Sequence, residues 1–404
     1  MNNALLQYQQ EAKKELQSIL RYWMLHTIDN VKGGFYGSID NKNKKDVNAP
    51  KGVVLNARIL WTFSAAYNHT KNSEYLNIAE RAFNYIVDHF SDKQYGGVYW
   101  SVDANGVILD GKKQVYGLAF VIYGMSEYYA ATQKQAALDY AVKLYELIEQ
   151  FSYDKQYDGY YEAFARDWSV MDDLRLSDKD VNEKKTANTH LHIIEAYANL
   201  YKVWPDEKLM QKIIGLLALF NTYFIDSKIF HLKLFFNELW KEKPDVISYG
   251  HDIEAAWLLL QCAELSGNTE WIKVFKEHAV NVSNAAFEGI DEDGGLWYEY
   301  EPLHNRLVKE KHWWPQAEAM IGFFNAYEIT KDNKYLHLSG ASWAFVKEYL
   351  IDKQQGEWYW GVKDDYTVMP GQDKAGFWKC PYHNVRACIE IDKRAGRMLN
   401  TKYI

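Results

Sequence analysis

The sequence predicts an all-α toroid of six helical hairpins, with short β-hairpins in the loops at one end. It does so through a Gly-aromatic cluster that returns at a near-constant interval, a pair of helical patterns after each cluster, and one unpaired helix at each end of the chain. The clusters are GGFYG from Gly33, GGVYW from Gly96, DGYYEAF from Asp158, GGLWYEY from Gly294 and GEWYW from Gly356. Gly34 to Gly97 is 63 residues, Gly97 to Gly159 is 62, and Gly295 to Gly356 is 61. The 136 residues from Gly159 to Gly295 hold two periods of 68, placing a degenerate copy near position 227, where the glycine-free DSKIFHLKLFFN stands. A fixed period marks a repeat architecture, in which each unit buries its apolar face only against its neighbours.

In chain order, Asn3 to His26 is an opening helix with no sequential partner. Val53 to Tyr67 pairs with Glu74 to Phe90, Gln114 to Ala130 with Gln135 to Phe151, and Thr186 to Lys202 with Asp206 to Ile225. Ser248 to Leu265 pairs with Thr269 to Phe287, and His312 to Ile329 with Asn333 to Leu350. The last cluster is followed by one helix, Pro381 to Met398, whose partner is the opening helix, so the ring closes as one domain over residues 1–404. The turns NHTKNSE, WPDE, LSGNTE and TKDNK supply N-cap residues for the second helix of their pairs. Short turns within the hairpins fall at one end of the ring. The Gly-aromatic loops and the N-termini of the first helices fall at the other, where loops on a rigid scaffold carry function. Alternating runs such as FYGSI and VYWSV add short strands there.

The 46 basic and 54 acidic residues leave a net charge of −8 with no basic block. Nucleic acid and an anionic membrane are therefore excluded as partners, since phosphate binding needs a concentrated positive patch. The opening MNNALLQYQQEAKKEL is charged where a secretory signal needs an apolar core. The most apolar run, Ile213 to Ile225, is too short for a bilayer and is broken by Asn221 and Thr222. Cys262, Cys380 and Cys388 show neither a disulfide framework nor zinc spacing. A cytoplasmic protein, monomeric or weakly dimeric, is the expectation. The 15 Trp, 31 Tyr and 18 Phe fill a large core, and some supply flat faces suited to sugar rings.

The heads of the first helices carry the candidate chemistry: Arg58, Tyr116, His192, His251, Trp314 and His383 occupy roughly equivalent places in six successive units. Ring closure brings them to one central cavity. His190 and His192 diverge on a helix by about 200°, so they cannot share a metal ion, and no metal site is expected. His251 and Glu254 lie on one helix face, where the carboxylate can orient the imidazole. Trp313, Trp314 and Trp378 are candidate stacking platforms. Glu254 and Glu318 could form the carboxylate pair of a glycosidase. Histidine outnumbers carboxylate at the equivalent places, however, which favours proton transfer beside a carbonyl by a base with a pKa near 7. Two imidazoles on opposite faces of an enediolate would invert a carbon, with Arg58 holding the negative oxygen.

GVVLNARILWTFS, NTHLHIIEAY, GHDIEAAWLL, WWPQAEAM and FWKCPYHNVRACIE, spread over nearly the whole chain, together resemble the N-acylglucosamine 2-epimerase superfamily, and within it the branch acting on cellobiose. The resemblance implies an (α/α)6 barrel and reversible epimerisation at C2 of a reducing-end aldose, a carbohydrate partner, and no cofactor. It implies that His192 assists ring opening and that His251 and His383 are the acid/base pair at C2. Arg58 would bind the oxygens at C1 and C2, supported by Tyr116, Asn188 and Glu254. Trp314 or Trp313, with Trp378, would form the sugar platforms, and Asp180 would bind a hydroxyl. Glu318 is grouped with the substrate-binding residues. Free mannose or glucose as substrate, and mannose–fructose isomerisation, are the alternatives within the superfamily. A non-catalytic sugar-binding toroid is the alternative outside it.

Overall fold

The computed structural model describes residues 2–243 and 246–400, and twelve α-helices account for most of them. They are α1 (Asn2–His26), α2 (Val53–Thr70), α3 (Glu74–Tyr85), α4 (Val115–Thr132), α5 (Gln135–Leu147) and α6 (Ala187–Val203). The second half holds α7 (Glu207–Leu219), α8 (Tyr249–Ser266), α9 (Thr269–Phe287), α10 (Trp313–Thr330), α11 (Asn333–Phe345) and α12 (Tyr382–Asn400). The even-numbered helices form an inner ring, each packed on the next, and α12 packs on α2 to close it. The odd-numbered helices lie outside, with α1 against α12 as the sixth pair.

Inner helices have neighbours on most sides, so burial rather than a single stripe marks them: α2 is buried without interruption from Val53 to Ala66. Outer helices bury one stripe, as Tyr75, Ile78, Ala79, Ala82 and Phe83 do on α3. Two glycines set the spacing of the inner ring. A Cβ on Gly124 of α4 would lie 2.7 Å from the Ala57 carbonyl oxygen, and one on Gly322 of α10 would lie 2.7 Å from that of Ile253. Closer helix approach offsets the roughly 1 kcal/mol that glycine costs inside a helix. At the hairpin turns, Asp206, Asn268 and Asp332 cap α7, α9 and α11 through their side chains. Ser73 makes no such bond; Asn72 Oδ1 accepts from Glu74 N instead.

The strands do more than decorate loops. Four of them form two local hairpins, Ser101–Val102 with Ile108–Asp110 and Glu299–Glu301 with Arg306–Val308. Other pairs tie unit to unit, because the two residues before each of α2, α4, α6, α8 and α10 pair with a strand in the following loop. Lys51–Gly52 pairs with Ser101–Val102, Lys113–Gln114 with Ala163–Phe164, and Lys185–Thr186 with Phe235–Phe236. Ile247–Ser248 and Lys311–His312 continue the pattern, and Ser38–Ile39 pairs with Ala375–Gly376 across the two ends of the chain.

A buried ion pair fastens five of these loops. Lys51 meets Asp29 at 3.0 Å, Lys113 meets Asp92 at 2.8 Å, and Lys185 meets Asp154 at 2.8 Å. Lys311 meets Asp291 at 2.6 Å and Lys374 meets Asp352 at 2.5 Å. The aspartate opens each Gly-aromatic loop, and the lysine, at most 2% exposed, stands two residues before the inner helix in four units and just before the strand Ala375–Gly376 in the last. The degenerate fourth unit has Ile247 in the lysine's place, and its Asp226 pairs with Lys233 at the surface. There Phe230 takes φ 60°, the left-handed conformation that glycine supplies in most other copies.

Candidate active site

The loop-bearing end of the ring opens into a cavity of about 1120 Å³. Arg58, Tyr116, Asn188, His192, His251, Glu254, Trp313, Trp314, Trp378, His383 and Asp180 all line it, so eleven of the twelve sequence candidates converge. Glu318 does not. It has no exposed surface and lies behind His383, where Trp257 Nε1 and Arg386 also reach it. Its place is thus that of a partner to a cavity residue, a correction to its grouping with substrate-binding residues.

The heads of the inner helices form two tiers rather than one set of equivalent positions. Tyr116, Asn188, Trp314 and His383 are second residues of their helices and His251 is a third. Arg58, His192, Glu254 and Glu318 are sixth residues, about one helical turn deeper. The upper tier is the rim of the cavity; Arg58, His192 and Glu254 of the lower tier are its floor, with Glu318 behind it.

Each of the three cavity histidines has Nδ1 engaged from behind. His192 Nδ1 is 2.9 Å from Glu195 Oε2, His251 Nδ1 is 2.8 Å from Ser248 Oγ, and His383 Nδ1 is 2.7 Å from Glu318 Oε1. Nε2 is the nitrogen left on each ring. Glu254 does not orient His251 as its helix spacing suggested; its Oε1 accepts from Arg386 Nη2 at 2.7 Å and lies 3.9 Å from His383 Nδ1. The neighbouring His190 points away from the cavity, with Nε2 accepting from Tyr160 N and Nδ1 near Thr186 O.

Burial lowers the pKa of His251 to about 3, with the neighbouring His192 and Lys179 adding to the effect. Burial, then Arg58 and Arg386, hold His383 well below the usual histidine range. Both imidazoles are therefore neutral at ordinary pH, the form that can accept a proton. Burial and the adjacent Glu318 charge raise Glu254 to about 7. Burial also pushes Glu195 up, but Arg386 and the His192 hydrogen bond outweigh it and hold that carboxyl down at about 2.

Arg58 donates from Nη2 to Tyr116 Oη at 2.7 Å, and its guanidinium lies 4.1 Å from the Phe120 ring centre. Asn188 Oδ1 has no hydrogen-bond partner among the described residues. The Trp314 ring is 4.8 Å from that of His251 and 5.7 Å from that of His383. Trp378 packs beside Tyr116 at 6.3 Å, while Trp313 is largely buried against Trp360. One cavity wall is the loop from Leu174 to Glu183 and the other is the hairpin from Glu299 to Val308. Lys179 joins them, hydrogen-bonding Tyr298 and pairing with Glu299 at 3.9 Å. Asp180 Oδ2 is occupied by the backbone and hydroxyl of Ser177, both at 2.8 Å.

The donor atoms of Glu254, Glu318 and His383 lie within 4.8 Å of one another, a spacing that a metal ion could use. Both carboxylates already accept from the Arg386 guanidinium, which is the cation of this cluster. Sequence reasoning missed Arg386, Glu195 and Ser248. The first two stand three residues after His383 and His192, inside the motifs that also hold Trp378 and Asn188. Among the described residues no helix is long and apolar enough to cross a membrane.

Residues 33–387 match the family described as N-acylglucosamine 2-epimerase (GlcNAc 2-epimerase). The cellobiose 2-epimerase of Bacteroides fragilis is 46% identical over 383 residues, covering 95% of this chain and 98% of that protein. Among solved structures, the cellobiose 2-epimerase of Bacillus thermoamylovorans B4167 is 40% identical and superposes with a TM-score of 0.90, covering 98% of this chain and all of the other. A D-mannose isomerase shares the fold at 23% identity, with a TM-score of 0.84 over 95% of this chain and 97% of its own.

Proposed function

The chain belongs to the N-acylglucosamine 2-epimerase family, and from that premise we propose that it inverts C2 of the reducing-end aldose of a β-1,4-linked disaccharide. Cellobiose and glucosyl-mannose, or lactose and epilactose, are the pairs it interconverts. The observation that carries this reading is the common geometry of His192, His251 and His383, each with Nδ1 held from behind and Nε2 left for the cavity they line.

His192 assists opening of the sugar ring, which frees the C1 carbonyl and acidifies the C2 proton. One of His251 and His383 removes that proton from one face, leaving an enediolate. Its charge is met by Arg58 and by the positive N-terminal ends of the inner helices. The other histidine delivers a proton to C2 from the opposite face, and the ring closes with C2 inverted. The Trp314 ring beside both imidazoles and Trp378 across the cavity hold the sugar faces. Asn188 and Asp180 address hydroxyls, and the walls beyond the histidines leave room for the outer sugar. A two-carboxylate glycosidase is disfavoured, because Glu254 and Glu318 share Arg386 and only Glu254 reaches the cavity.

Incubation in heavy water with cellobiose, lactose, glucose and mannose, followed by sugar chromatography and NMR, tests the reading. The expected result is the C2 epimer of the disaccharides with deuterium at C2. Fructose from mannose would instead indicate proton return to C1. Binding with no exchange would reduce the protein to a sugar-binding toroid. His251→Ala and His383→Ala should each abolish exchange in a folded protein.

A further inference from the structure

We infer that Arg386 is a positioning residue that fixes the Nδ1–H tautomer of both His192 and His383 by keeping their carboxylate partners ionised. The inference deepens the proposed function and rests on its assignment of those histidines to proton transfer.

Arg386 is 2% exposed and lies on α12, three residues after His383. Its Nη1 donates to Glu195 Oε1 on α6 and to Tyr382 Oη. Its Nη2 donates to Glu254 Oε1 on α8 at 2.7 Å and to Glu318 Oε1 on α10 at 2.6 Å. The guanidinium is flanked by the rings of Tyr382 at 4.2 Å and Trp257 at 4.9 Å. One side chain thus contacts carboxylates on three other inner helices, and two of those carboxylates back the histidines.

The chemistry follows from burial. Glu195, Glu254 and Glu318 are 4%, 1% and 0% exposed, and a buried carboxylate without a cation takes up a proton. A protonated Glu318 would donate to His383 Nδ1 and move the imidazole proton to Nε2, the nitrogen that must accept from carbon. Glu195 stands in the same relation to His192. The other charged or titratable groups around this core are Arg58 from α2, Tyr116 and Tyr123 from α4, and His251 from α8. His69, Glu127, Lys202, Glu390 and Lys393 surround a second cavity that Arg386 also lines. Arg58 hydrogen-bonds Tyr116 and Cys380 rather than a carboxylate. Arg386 is therefore the cation in hydrogen-bond contact with all three acids.

The second cavity, of about 260 Å³, is lined by the middle and C-terminal parts of α2, α4, α6 and α8 and by α12, and it reaches Arg386 without including His192, His251 or His383. It supplies a route for chemical rescue. Nitrogen-15 NMR of histidine-labelled protein reads the tautomers directly and without substrate. In the wild-type protein at pH 7, His192 and His383 are expected as Nδ1–H tautomers. Nε2–H tautomers there would overturn the inference before any variant is made. In Arg386→Gln, both should shift toward Nε2–H, and kcat should fall about 100-fold or more with KM changed less than about threefold. Guanidinium added to Arg386→Ala should restore about tenfold of the lost kcat, whereas methylammonium should not. Wild-type tautomers in Arg386→Gln, or equal rescue by both cations, would overturn it. If the wild-type protein shows the expected tautomers and Arg386→Gln shifts them, but no sugar is epimerised, the functional reading fails and the inference stands.

Discussion

His383 Nδ1 lies 2.7 Å from Glu318 Oε1, and that carboxylate has no exposed surface. An ionised acceptor at this place stabilises the imidazolium that forms when Nε2 takes a proton, as the buried aspartate does in serine proteases. Glu318→Gln keeps the shape and removes the charge. Its kcat is expected to fall about 10²–10³-fold with KM within about threefold of wild type. Initial rates of epimer formation over a range of disaccharide concentrations check this. A rise in KM alone would return Glu318 to substrate binding.

The ring was legible because each unit repeats its punctuation. Gly33, Gly96, Asp158, Gly294 and Gly356 all need positive φ, and that demand shows in sequence. Convergence of the helix heads followed from counting units. The two tiers did not, because one turn of offset between Arg58 and Tyr116 depends on where each helix starts. Arg386 was invisible for another reason: its partners Glu195, Glu254 and Glu318 come from three other units, and no local spacing announces them. The Lys–Asp locks were readable in principle. The partners are 22, 21, 20 and 22 residues apart in four of the five, with 31 where the loop is longer.

His190 and His192 give a contrast within one motif. His190 is fully buried and satisfies Tyr160 N and Thr186 O, so His190→Ala leaves a cavity and an unpaired backbone donor. A loss of about 2–4 kcal/mol in stability is expected, with kcat nearly unchanged in the folded protein. His192→Ala should do the reverse, keeping most of the stability and losing turnover. Urea unfolding alongside initial rates separates the two, and equal loss of turnover in both would sink the assignment.

Glu162 carries a pH dependence whose sign can be worked out. It is 2% exposed at the cavity wall, and burial raises its pKa from the ordinary 4.5 to about 8. Between those values the folded protein holds a proton that the unfolded chain releases, so this group's contribution to stability falls as pH rises from about 4.5 to 8. Thr186 N donates to its Oε1 at 2.9 Å, and the Thr189 hydroxyl lies 2.5 Å from its Oε2. Glutamine mimics the protonated acid there, with its amide donating to the Thr189 oxygen. Glu162→Gln should match wild type near pH 4.5 and exceed it by several kcal/mol, up to about 4–5, at pH 8.5. Denaturant midpoints at the two pH values decide the matter, and a constant difference would refute it.

The locks make a final prediction about what holds the site's loops. Lys113 has no exposed surface and meets Asp92, which also accepts from Arg166 Nε and from the backbone of Gln94 and Tyr95. Asp92→Asn removes the lysine's counter-charge and is expected to cost about 3–5 kcal/mol, because a buried ammonium is left unpaired. Lys113→Met should cost less, since Arg166 still neutralises Asp92. The fourth unit already works with Ile247 at the lysine's place, its loop held by Asp252 through His231 Nδ1 and Leu232 N, both at 2.7 Å. The double variant Lys113→Met/Asp92→Asn should therefore recover part of the loss seen in Asp92→Asn. A double-mutant cycle on urea unfolding measures the coupling. A coupling energy near zero would show that the strand pairs and glycine turns hold these loops without the ion pair.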